Sequence, residues 1–170
     1  NKVLTGNINL YNVSHSDFIF FKDMSINVEN GKINFLANGT FLDSPISINA
    51  LADNNFEDNI LIHNIDISLD KFVFDKDDYS SLSNEAYKYK NSGGDKDYNV
   101  VVEKGKIHVN DILHEKFQMH DVKILGSLKN NVVNFVIPGT VYAKGILSAK
   151  GIYNINKIII KGKFKGYVID

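Results

Sequence analysis

Five histidines are the side chains best placed to do acid–base or metal chemistry near neutral pH, because the chain has no cysteine. His108, His114 and His120 recur at intervals of six residues. That interval fits neither one face of a helix nor the close pairing of zinc ligands. His108 stands between Ile107 and Val109 and His120 follows Met119, so alternation directs both to a polar face. The histidines read as dispersed surface residues, and no metal site is expected. The acidic runs "DNNFEDN" (53–59) and "DKDD" (75–78) lack the alternating ligands, central glycine and closing glutamate of an EF-hand loop. No G-x-S-x-G, P-loop or dinucleotide fingerprint is present, and no carboxylate spacing picks out a hydrolase pair. The asparagines of "NVS" (12–14) and "NGT" (38–40) match the glycosylation sequon and serve equally well as turn residues. The chain therefore reads as no enzyme, with no catalytic residue and no cofactor.

Composition narrows the partners. The 170 residues are 44% hydrophobic and 23% charged, enough apolar mass for a folded core. Net charge is −1, and all nineteen basic residues are lysine, so the fork that reads phosphate bidentately is missing. No nucleic acid is expected. No apolar run approaches the roughly 20 residues of a membrane helix. The chain opens on Asn1 and closes on the strand-like "GKFKGYVID", which reads as a piece of a longer protein.

The elements that would position any site are strands. Ile8 and Leu10, then Met24, Ile26 and Val28, then Ile33 and Phe35, then Ile46, Ile48 and Ala50, alternate with Asn, Ser, Asp and Lys. Asn30-Gly31 and Asn38-Gly39 read as hairpin turns, with Asn130-Asn131 in the corresponding place later. The expected fold is all-β: an antiparallel meander of a dozen or so strands forming a curved sheet, groove-like or sandwich-like. Residues 75–97 break the alternation with charged and polar side chains and read as a polar insertion, either a loop or a short helix. This divides the chain into a first β repeat unit (1–74), the insertion (75–97) and a second β repeat unit (98–170).

The halves align. Gly6 meets Gly105, Ile8 meets Ile107 and His15 meets His114, and Asn34-Phe35…Gly39-Thr40 meets Asn134-Phe135…Gly139-Thr140. Eleven phenylalanines and no tryptophan fall mostly on the apolar parity. They could fill a closed sandwich core, as in an interaction module of a cell-surface or envelope-assembly protein. They could instead line an apolar face left open for a lipid or a partner. On that second reading the groove-lining side chains are Phe18, Phe20, Ile26, Ile33, Phe35, Ile48 and Ile67, with Phe117, Met119, Ile124, Phe135 and Ile160 in the second half.

The stretch "GKIHVNDILHEKFQMHDVKILGSLKNNVVNFVIPGTVYAKGILSAKGIYN" (105–154) resembles the repeating unit of the bacterial AsmA-like superfamily, the TamB- and YhdP-type bridge-like lipid transfer proteins. "GNINLYNVSHSDFIFFKDMSINVENGKINF" (6–35) is similar to the same unit more loosely. The resemblance implies a periplasmic protein anchored to the inner membrane by a segment outside this chain. It also implies an apolar β-groove that carries phospholipid or another acyl-chain ligand between membranes and supports outer-membrane biogenesis, with envelope proteins as further partners. With strands about 4.8 Å apart, some fourteen of them would make a groove of roughly 65 Å.

Overall fold

The computed structural model describes residues 5–16, 18–53, 59–73, 99–114, 117–142, 145–154 and 157–166. They form ten strands: β1 (Gly6–Ser16), β2 (Ile19–Glu29), β3 (Lys32–Phe41), β4 (Ser44–Asp53), β5 (Asn59–Val73), β6 (Asn99–His114), β7 (Phe117–Lys129), β8 (Val132–Tyr142), β9 (Gly145–Asn154) and β10 (Lys157–Gly166). The strands pair in chain order into one open sheet. Among the described residues there is no helix and no second sheet, so the protein is all-β and one layer thick. The loop or short helix expected over 75–97 lies outside the described residues.

One junction departs from the meander. β5 and β6 run parallel, from Asn59 opposite Asn99 to Val73 opposite Leu113, while every other neighbouring pair is antiparallel. Alternation reveals that a segment is a strand but carries no sign of its partner's direction. A parallel partner needs a long return connection, and the polar segment between Val73 and Asn99 supplies the length. The sheet is thus two five-stranded meanders side by side. Ten strands span roughly 43 Å across the sheet at about 4.8 Å each, less than the fourteen-strand estimate.

The turns separate good signals from bad. Asn30-Gly31 (φ 50° and 74°) and Asn130-Asn131 (φ 52° and 58°) both take the left-handed conformations that two-residue hairpins demand. They close β2–β3 and β7–β8, and they lie at the same end of the sheet because the parallel junction preserves strand direction. Asn38-Gly39 is no turn; it lies inside β3, and the chain reverses instead at Leu42-Asp43 (φ 49° and 60°). Gly39 answers a different need. A Cβ built there would sit 1.9 Å from the carbonyl oxygen of Phe20 on β2, so only glycine allows the two backbones to approach.

Cross-strand partners share a face, and following them across the ten strands gives one unbroken row. It runs Ile8, Ile26, Phe35, Ala50, Ile65, Gly105, Gly126, Phe135, Gly151, Ile160. Every member is apolar or glycine. We call this side the front. Three buried residues of the neighbouring row, Leu69, Val109 and Val122, form the core, with Phe41, Ile46, Phe72, Ile112, Met119 and Ile124 packed on them. The rings of Phe41 and Phe72 stand on β3 and β5 yet come to 6.0 Å, leaning together over Ser44 of β4.

Candidate functional site

The front face is the candidate site, and its parity is set by where strands carry an extra residue. β2 has one at Lys22, because Phe21 pairs with Gly39 while Asp23 pairs with Asn38. Two residues of a bulged strand face one on the partner, so Phe21 and Met24 both reach the front although three positions separate them. His63 is a second such residue, since Leu51 pairs with Asn64 and Ala52 with Ile62. Backbone groups exposed by these irregularities find side-chain partners. The buried Ser44 accepts a hydrogen bond from the Lys71 amide (2.7 Å), and the buried Thr140 hydroxyl donates to the His120 carbonyl (2.7 Å).

Ten of the groove residues read from the sequence lie on the front: Ile26, Ile33, Phe35, Ile48, Ile67, Phe117, Met119, Ile124, Phe135 and Ile160. Phe20 does not. It pairs with Ser14 and Thr40 on the back and is 40% exposed, because the extra residue at Lys22 reverses the parity assumed from Ile26. Phe21 takes the front position instead. Phe18 sits in the turn before β2, where its carbonyl accepts the Leu42 amide (2.9 Å). Alternation counted in twos cannot register an added residue, and no glycine or proline marks this one.

Coverage of the front is incomplete. Val109 is 5% exposed, but Ile107, two residues earlier on the same central strand and the same face, is 38% exposed. No layer lies over it among the described residues. Aromatics lie flat rather than stand. Phe135 rests between Gly126 and Gly151, and a Cβ on Gly151 would come within 2.3 Å of its Cζ. Phe117 and Tyr142 likewise meet at 4.9 Å. A large ring next to a glycine keeps the surface smooth and leaves a shallow apolar trough.

The back is polar over β3–β7. Its most connected group centres on His63, whose Nε2 lies 2.9 Å from Asp53 Oδ1 and whose Nδ1 lies 2.8 Å from Glu103 Oε2. Lys32 donates to the same Asp53 oxygen. Hydrogen bonds to Glu103 and then Asp53 hold the His63 pKa above its usual value, while Lys32 and then His63 hold the Asp53 carboxyl below its own. His108 bonds Asp121 (2.8 Å), and His120 bonds Asp111. Lys123 and then His108 hold the Asp121 carboxyl below its usual value. Among the described residues no three His, Asp or Glu side chains are placed to hold a metal ion. These groups form ion-paired ladders across neighbouring strands.

Comparison with protein-family models, curated proteins and solved structures finds no match for this chain.

Proposed function

We propose that this sheet is a non-enzymatic binding surface for acyl chains, with the front face as a trough for phospholipid tails. The observation that supports it is Ile107, an aliphatic side chain at the middle of the sheet with no layer over it. Domains bury a sheet's apolar face under a second layer, and a face left bare has a ligand or partner to cover it. An acyl chain needs only apolar contact along its length while its headgroup stays wet, so no reactive residue is required. The likeness to AsmA-like proteins points the same way, and in that setting the sheet is one section of a lipid conduit facing the periplasm.

Native mass spectrometry of the purified chain tests this. Co-purifying phospholipid is expected, and Ile107→Asp should remove it while far-ultraviolet circular dichroism remains β-rich. Absence of any acyl-chain ligand, or uptake unchanged in Ile107→Asp, would sink the reading. Phe135→Asp is a poorer probe, since its ring already packs on Gly151.

A further inference from the structure

The charges of this nearly neutral chain are segregated along it. From Val122 to Ile169 there are eight lysines and no aspartate or glutamate, whereas nineteen of the twenty acids precede Val122. The acids of the described strands are largely matched in place. Asp53 meets Lys32 and His63, Asp66 meets Lys106, Asp111 meets His120, and Asp121 meets His108 and Lys123. The lysines of the far end have no such partners among the described ion pairs. Lys150 and Lys161 are register partners on β9 and β10, and Lys163 and Lys165 continue along β10 on the back face. All four are exposed.

Like charges directly opposite each other in a sheet destabilise it, so the Lys150–Lys161 pair calls for an external anion. Beside it, Leu125, Val136, Ile152 and Ile159 stand half-exposed on the same back surface and wall a depression with the two lysines. Glu103 is the one carboxylate at its rim, and it is held by His63. We propose that the back of β7–β10 docks on the surface of an anionic lipid bilayer, lysines against the headgroups and aliphatic tips in the interface. Unpaired lysines interleaved with exposed aliphatic side chains match the charge and the polarity gradient of such a surface. An acidic protein partner would be met more typically by arginine and aromatic side chains, and this patch offers neither. The proposal concerns the face opposite the acyl-chain trough and stands apart from that reading.

Flotation of the whole chain with vesicles tests it. Phosphatidylcholine vesicles containing phosphatidylglycerol should carry the protein at low ionic strength and release it at high salt, and pure phosphatidylcholine vesicles should not bind it. Each lysine removed should weaken partition roughly fivefold, so Lys150→Gln, Lys161→Gln, Lys163→Gln and Lys165→Gln together should weaken it several-hundred-fold. The control pair Lys22→Gln and Lys106→Gln should leave it unchanged. Because Lys150→Gln relieves a repulsion, its melting temperature should hold or rise, which separates lost binding from lost folding. Binding to neutral vesicles as strong as to anionic ones would overturn the proposal. So would a fourfold variant that binds like the parent, or a chain that captures polyglutamate but no vesicle. Acyl-chain uptake in the fourfold variant should persist, so the two readings can fail independently.

Discussion

Gly39 and Gly139 occupy matching places in the two Asn-Phe…Gly-Thr stretches, yet substitution to alanine should have opposite consequences. At Gly39 the new Cβ would lie 1.9 Å from the Phe20 carbonyl oxygen and 2.7 Å from the Phe21 Cα, both backbone atoms. Ordinary contact is roughly 3.5 Å, so β2 and β3 would have to part by about 1.5 Å. That separation breaks the ladder on either side of the Lys22 irregularity. Overpacking of this kind costs about 1–3 kcal/mol, and each ladder hydrogen bond lost adds about 1 kcal/mol. The conformational gain of replacing glycine returns only about 0.5–1 kcal/mol. A net loss of about 3 kcal/mol follows. At Gly139 the closest atom is the Ile146 Cγ2 at 3.3 Å, the end of a side chain that can turn away. There the gain from glycine dominates, and Gly139→Ala should be neutral or slightly stabilising. With a urea slope of about 2 kcal/mol/M, the two midpoints followed by circular dichroism should differ by about 1.5 M. Equal midpoints, or the larger loss at Gly139, would refute the close approach at Gly39.

Val109→Asp places a charge where the front is 5% exposed and should unfold the sheet, whereas Ile107→Asp should leave the thermal melt nearly in place. Gly151→Ala should push the Phe135 ring off the sheet and lower the melting temperature, and adding Phe135→Leu should recover part of the loss. For His63 the sign follows from its raised pKa. Its contribution is whole below about pH 6.5 and is lost as pH climbs through the raised value. Asp53 has a lowered pKa, so its contribution is present above about pH 3.9 and fades as pH falls through the lowered value. The stability advantage of the parent over His63→Gln, read as the difference in urea midpoint, should therefore peak between about pH 4 and 6.5 and shrink towards pH 8.5.

Strand identity was legible because half-buried strands alternate, and the runs around Ile26, Phe35, Ile48 and Ile67 do so cleanly. Hairpins were legible where asparagine and glycine advertise positive φ, as at Asn30-Gly31. Leu42-Asp43 was not, since leucine in the left-handed region is a cost that the surrounding ladder imposes and local sequence does not reveal. Phe20 was misplaced for a related reason. An inserted residue such as Lys22 shifts parity through hydrogen bonding with the neighbouring strand, a long-range event with no mark of its own. The parallel junction was hidden because partner direction belongs to the connection, not to the strands. The charged patch on β9–β10 escaped notice because net charge averages over the chain and conceals segregation.

The parallel junction also decides how the two halves relate. Each meander has an odd number of strands, so continuing it antiparallel would turn the second half end over end, placing Asn130-Asn131 at the opposite edge from Asn30-Gly31. Parallel pairing of β5 and β6 relates the halves by translation along the sheet instead. Under translation Phe35 and Phe135 fall in one front row, and that row stays apolar across all ten strands. A unit placed by translation can be added again at either edge without changing which face is apolar or which end carries the turns. The two Asn-Phe stretches are thus the visible trace of a rule for lengthening a trough, and the polar segment between Val73 and Asn99 is what that rule requires of the chain at each junction.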